Sequence, residues 1–278
     1  MFEAIKCFVK EHVDNRQYIW KLAVSSAKEE TRKTTLGMWW NIIRDIVFFV
    51  TYGMFMIVIR GGRNNLIDGM PGLFYLFTGL VAWYLINDSL TQGVRCIIKN
   101  KGIFTKIKFP ILVIPTIETI ALFIKRISTF ILLFFLLAFI CIFFKFTPKV
   151  NIFGLLYSLV SLFIFGVVYN VLMSGFFTIS KDFRELYKAI MRVQFYFVPI
   201  FWSASHDLVN LGVPHRVITI INNLPFIHLI NSFRYSLSLG SFPRLYSIGI
   251  FWFIVLIMFV VGAFIQFKLR RIYADFIG

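Results

Sequence analysis

The sequence predicts an all-α integral membrane protein: six transmembrane helices, an N-terminal interfacial amphipathic helix, and short re-entrant helices before the last span. Three observations carry this prediction. Hydrophobic residues make up 59% of the 278 positions and charged residues only 15%, with a mean hydropathy of +0.79; soluble domains have about 45–50% apolar and about 25% charged residues. The apolar residues come in runs close to the roughly 20 positions that a helix needs to cross a bilayer core of about 30 Å. Basic residues outnumber acidic ones 29 to 13, and they gather at the ends of those runs.

The N-terminal region, 1–37, is polar and charged before the first long run, unlike a cleavable signal peptide. Phe2, Ile5, Phe8 and Val9 fall on one helical face beside Lys6 and Lys10, the pattern of a helix lying in the membrane surface. Six apolar runs follow, over 38–59, 72–94, 111–144, 152–177, 189–203 and 246–267. Unpaired backbone cannot face lipid, so each is read as a helix. Residues 204–245 mix apolar pieces too short to cross with "SASHDLVNLGVPHR" and "NSFRYSLSLGSFPRL", and read as an extracellular re-entrant segment.

Basic residues set the orientation. Seven lie in 1–37, five between the second and third runs, four after the fourth and three after the sixth, 19 in all. The alternate connections carry seven, among them Arg60, Lys145 and Arg216. Both termini are therefore expected in the cytoplasm, in agreement with an even number of spans. The division of the chain is a cytoplasmic interfacial region, 1–37, and a six-span domain, 38–278. The same distribution explains the formal net charge of +16 without nucleic acid.

Several chemistries are missing from the sequence. It has no phosphate-cradling G-x-x-x-x-G-K-[ST] loop, no H-E-x-x-H and no G-x-S-x-G. Cys7, Cys96 and Cys141 are scattered, and His12, His206, His215 and His228 lack ligand spacing, so no metal site is expected. Charges inside spans are costly and each needs an account. Arg44 and Asp45 stand near the start of the first run, Asp88 beside Asn87 and Gln92 near the end of the second, and Glu118 in the third. Lys125 and Arg126 interrupt the third run at its middle, either as side chains snorkelling at a bend or as a basic lining for a passing phosphate.

The connection after the second run reads "IKNKGIFTKIKFPILVIP", 98–115. As a helix, 99–108 would place Ile103, Phe104 and Ile107 on one face and Lys101, Thr105 and Lys108 on another. Phe109–Pro110 would end it, because the residue before Pro avoids the α region.

This stretch resembles the signature after the second span in type-2 ABC exporter permeases, where Gly leads to basic residues, Phe-Pro, and a second Pro. Four more segments resemble that family in order: "LGMWW" (36–40), "SKDFRELYKAI" (180–190), "QFYFVPIFWS" (194–203) and "LPFIHLINSFR" (224–234). The branch most resembled exports polysaccharides: wall teichoic acid, O-antigen and capsule. Asp45 stands where many members have Pro, Lys181 replaces an Arg, Leu224 an Asn, and Ile111 an Arg that often follows Phe-Pro.

The resemblance implies a permease subunit in a bacterial cytoplasmic membrane, with no catalytic site. It implies a homodimer working with two ATP-binding cassette subunits, which would hold ATP and Mg; no cofactor is expected in this chain. Lys99, Lys101, Gly102, Ile103, Phe104, Lys106, Ile107 and Lys108 would form the helix that docks on the ATPase. The substrate would be a polymer on a polyprenyl diphosphate, taken from among membrane lipids. Arg44, Lys125 and Arg126 are the expected diphosphate contacts, and Trp40, Tyr52, Tyr75, Trp83, Tyr84, Tyr196 and Trp202 the expected aromatic surfaces for sugar rings. The alternative cargo is a small amphiphile, drug or peptide.

Overall fold

The computed structural model describes residues 2–32, 39–59, 66–100 and 110–269. Helices α1 (Phe2–Asp14) and α2 (Arg16–Arg32) precede α3 (Trp39–Ile59). A two-stranded antiparallel hairpin, β1 (Leu66–Ile67) and β2 (Met70–Pro71), leads into α4 (Gly72–Thr91). A 3-10 turn, Gly93–Arg95, and the short α5 (Cys96–Lys99) follow. Beyond Pro110, a 3-10 turn at Ile111–Val113 opens the long α6 (Ile114–Phe144). Then come α7 (Ile152–Ile179), α8 (Lys181–Phe197), three short helices α9 (Asp207–Asn210), α10 (His215–Asn222) and α11 (Pro225–Ser238), and α12 (Leu245–Leu269).

Local chemistry sets these ends. Pro115 occupies the first turn of α6, where its missing N–H costs nothing. Lys145 stops that helix in the left-handed region, φ 52°. Asn151 caps α7 by accepting from the Gly154 N–H at 3.0 Å, and Ser180 caps α8 by accepting from the Phe183 N–H at 3.1 Å. Ser180 is thus the single residue between α7 and α8.

Helix α4 is the centre of the bundle. It is apolar on all sides and buried from Phe74 to Ile86, as expected of a helix enclosed by others. Around it pack α3, α6, α7 and α11. α12 packs on α7, where Gly262 lets the helices approach: a Cβ there would lie 2.9 Å from the Leu172 backbone. α2 lies along α6, and α1 lies on α12, with Phe8 edge-on to Phe259 at 5.2 Å.

Among the described residues, the segments Gly72–Lys99, Ile111–Phe144, Ile152–Ile179 and Leu245–Leu269 are helical, long and apolar enough to cross a membrane. The chain is therefore a helical membrane protein. At 1.5 Å per residue, the 21-residue α3 is also about 31 Å long. The fifth expected span needs correction. Instead of an apolar helix over 189–203, α8 begins at Lys181, ends at Phe197, and is strongly amphipathic. The Ser180 cap starts the helix among charged residues, and the chain turns at Val198–Pro199. Lys125 and Arg126 make no break in α6, which is continuous over 31 residues.

Candidate functional site

Three helices bring charge together inside the bundle. Asp45 comes from α3, Asp88 from α4, and Arg126 with Thr129 from α6. All four side chains are buried. Arg126 faces Asp88 side-on, donating Nε–H to Oδ2 at 2.5 Å and Nη2–H to Oδ1 at 3.0 Å. Its Nη1 donates to Asp45 Oδ1 at 3.2 Å, and the Thr129 hydroxyl donates to the other Asp45 oxygen. The guanidinium lies 4.9 Å from the centre of the Tyr84 ring. Gln92 donates to Asp88 from the next turn. Sequence spacing singles out each charge but not their union, because the residues are up to 84 positions apart.

This arrangement changes the reading of Arg126. Expected among the diphosphate contacts, it is enclosed, and each of its three nitrogens donates to a carboxylate. Arg44 is exposed on α3, and Lys125 is partly buried on α6.

Beside the ionic cluster runs an aromatic seam between α3, α4 and α8. Tyr52 stacks on Phe48 at 5.9 Å and meets Phe195 at 5.4 Å and Phe201 at 5.5 Å. Trp83 approaches Phe195 at 6.0 Å. The expected sugar-facing aromatics divide by exposure. Trp40 and Tyr196 are exposed, and Tyr52 and Trp202 partly so. Tyr75, Trp83 and Tyr84 are buried. Trp202 donates its indole N–H to the Tyr196 carbonyl at 3.3 Å. The seam thus offers ring faces on α3, at the end of α8 and just after it, backed by buried rings on α4.

At the end of the bundle formed by the start of α4, a polar network holds the irregular segment after α8. Arg234 on α11 is 0% exposed, with its guanidinium 3.5 Å from the centre of the Tyr75 ring. It donates to the carbonyls of Tyr75 and Pro199 and to Asn231 Oδ1, at 3.1, 2.8 and 3.3 Å. Gly79 makes room, since a Cβ there would collide with this guanidinium. Asp68, in the hairpin turn with φ 48°, accepts from the hydroxyls of Ser203 and Tyr235. The Tyr75 hydroxyl donates to the Trp202 carbonyl at 2.9 Å. The sequence marks parts of this network, in the Pro-to-Arg spacing of 225–234, the segment 194–203 and Tyr75, but not their union.

At the opposite end, Lys99 donates to the buried Glu118 of α6 at 2.8 Å. Nearby, Asn170 on α7 donates to Thr119 Oγ1 at 2.9 Å, packed so closely on Gly93 that a Cβ there would clash. Lys99 is the one member of the expected docking helix in view; Lys101, Gly102, Ile103, Phe104, Lys106, Ile107 and Lys108 lie outside the described residues. Among the described residues no group of His, Cys, Asp and Glu could hold a metal ion. Cys7, Cys96 and Cys141 are not in disulfides.

Fold and site define a polytopic helical membrane protein with a charged and aromatic interior. No protein-family model matches the chain. Over 108 residues it is 28% identical to the O-antigen export system permease protein RfbA of Myxococcus xanthus. The match spans 39% of this chain and 40% of the relative.

Proposed function

We propose that the chain is the membrane-spanning permease of an ABC exporter. It carries a polyprenyl-diphosphate-linked polysaccharide, wall teichoic acid or a related glycopolymer, across the cytoplasmic membrane of a bacterium. The observation that carries this reading is the 108-residue similarity to an O-antigen export permease in a chain that has, among the described residues, four helices long and apolar enough to cross a membrane. The functional unit is a homodimer with two ATP-binding subunits, which bind ATP and Mg and supply the energy. Both termini are cytoplasmic, and 99–108 is the segment that meets the ATPase.

The residues support a division of labour. The rings of Trp40, Tyr52, Tyr196 and Trp202 give flat surfaces for sugar faces. Arg44 and Lys125 are the diphosphate contacts expected from the sequence that are left once Arg126 is committed to holding α3, α4 and α6 together.

Depletion of the protein, followed by mass spectrometry of lipid-linked intermediates, tests the reading. An undecaprenyl-linked polymer should build up in the cytoplasm; unchanged levels would refute it. Phe104→Asp with Ile107→Asp should abolish co-purification of the ATP-binding subunit, and retained binding would remove 99–108 from the docking role.

A further inference from the structure

A basic site lies one face away from the ionic cluster. Asn87 and Thr91 on the last turns of α4, and Arg95 on the 3-10 turn after it, follow at intervals of four residues and so share one side. Tyr187 and Lys188 of α8 face them, with Phe177 of α7 at the wall. Together they line a cavity of about 280 Å³. At about 30 Å³ per water molecule this is room for roughly nine waters, or for a phosphate-class anion with part of its hydration shell.

The charge in this cavity is one-sided. Among the described residues, Arg95 and Lys188 line it and no carboxylate does. Among the described residues, Arg95 meets the Phe177 ring at 5.8 Å and gives none of its N–H donors to a protein acceptor. The Asn87 amide likewise has no side-chain hydrogen bond there. Lys188 is paired at 2.6 Å with Glu185, but both are open to solvent, 42% and 73% exposed, so the ammonium is exchangeable at little cost. The Tyr187 hydroxyl is already committed, donating to the Leu90 carbonyl at 2.7 Å and lying 3.0 Å from Tyr169; its ring forms a wall. Asp88, one residue beyond Asn87, points to the other side of α4 and is fully used by Arg126 and Gln92.

We propose that this cavity binds the diphosphate of the lipid-linked substrate, with Arg95 as a forked donor, Lys188 as a point charge and Asn87 as a neutral donor. The proposal rests on the exporter reading above. A guanidinium fork suits two phosphate oxygens at once, and an ammonium supplies charge without a fixed geometry. Two converging cations favour a diphosphate over the single charge of a phosphodiester headgroup. The cavity also lies where α7 turns into α8 at Ser180, so an anion held there would bridge α4 and α8.

The test is equilibrium binding of radiolabelled farnesyl diphosphate, a short polyprenyl diphosphate, to the full chain in nanodiscs. Arg95→Ala should weaken binding about tenfold or more, the effect of losing charge-assisted hydrogen bonds. Arg95→Lys should restore part of it, and Lys188→Ala should cost severalfold. Arg95 is exposed, so unchanged thermal melting of the variants is expected and checks that they fold. Three results would overturn the assignment: binding unchanged in the Arg95→Ala, Lys188→Ala double variant, equal competition by phosphatidylglycerol, or equal competition by inorganic diphosphate. The depletion experiment separates the two claims. Arg95-dependent binding without polymer build-up sinks the glycopolymer reading and keeps the site; build-up with Arg95-independent binding does the reverse.

Discussion

Two arginines are buried against tyrosine rings in this bundle, and they are partnered in opposite ways. Arg126 rests 4.9 Å from Tyr84 and is held by two carboxylates. Arg234 rests 3.5 Å from Tyr75 and is held by two backbone carbonyls and one side-chain amide. The first joins three helices by charge. The second supplies a donor to the Pro199 carbonyl, which lies past the end of α8, where no helix can use it, and adds one to the Tyr75 carbonyl, which already accepts from the Thr78 hydroxyl. A buried cation in an apolar bundle can thus be a clamp between helices or a cap for broken backbone, and the partner atoms decide which.

The difference predicts unequal costs, and the largest belongs to the clamp. Arg126→Ala leaves Asp45 and Asp88 as buried carboxylates with no cation between them. Breaking a buried pair by removing one partner costs about 3–5 kcal/mol. A large loss of thermal stability in detergent micelles is expected, with partial recovery on adding Asp88→Asn. If the double variant melts no higher than Arg126→Ala, repulsion between the two acids is not the cause and the clamp reading breaks.

The cap should matter less. Arg234→Met leaves the Pro199 carbonyl without its donor and the Tyr75 carbonyl with the Thr78 hydroxyl, at a cost of about 1–3 kcal/mol for the unmade hydrogen bond of a buried polar group. Because the lost partners are neutral, no second-site neutralisation should rescue it. Gly79→Ala, which pushes on the same guanidinium, should shift melting in the same direction. Hydrogen exchange would sharpen the comparison: protection should fall around 198–206 in the Arg234 variant and across α3 and α6 in the Arg126 variant.

How much of this was legible beforehand follows from range. The helices α4, α6, α7 and α12 were readable because an apolar run of span length is a local property. The start of α8 was not. Its first turns are charged, and the Ser180 cap decides the boundary where hydropathy suggests none. The intramembrane charges were each visible, and their cost flagged them. Their pairing depends on contacts across 38 and 81 positions, which no spacing rule reaches. The same limit hid the Asp68–Ser203–Tyr235 network and the Arg95 cavity, which exist only where distant elements meet. Aromatic density was plain, yet exposure alone separates Tyr196 from Tyr75.

The smallest expected effect lies outside both arginine sites, where α1 rests on the bundle through a histidine whose burial favours its neutral form. His12 places Nδ1 2.8 Å from the Phe8 carbonyl and Nε2 2.8 Å from the Thr116 hydroxyl, with its ring stacked on Phe8 at 4.0 Å. Burial lowers its pKa from the ordinary histidine value, and the hydrogen bond to Phe8 offsets only part of that. The docked state therefore binds fewer protons than the undocked one once the pH falls to about 6.5, where free histidine titrates. Stability then declines with falling pH from that point and stops declining below the lowered pKa. Limited proteolysis or exchange on α1 at pH 7.5 and 5.5 should show release at the lower pH, and His12→Gln should flatten the dependence. The core of the bundle should keep its protection at both values; release of α3 or α11 together with α1 would show that the surface helix and the two clamped regions are one cooperative unit.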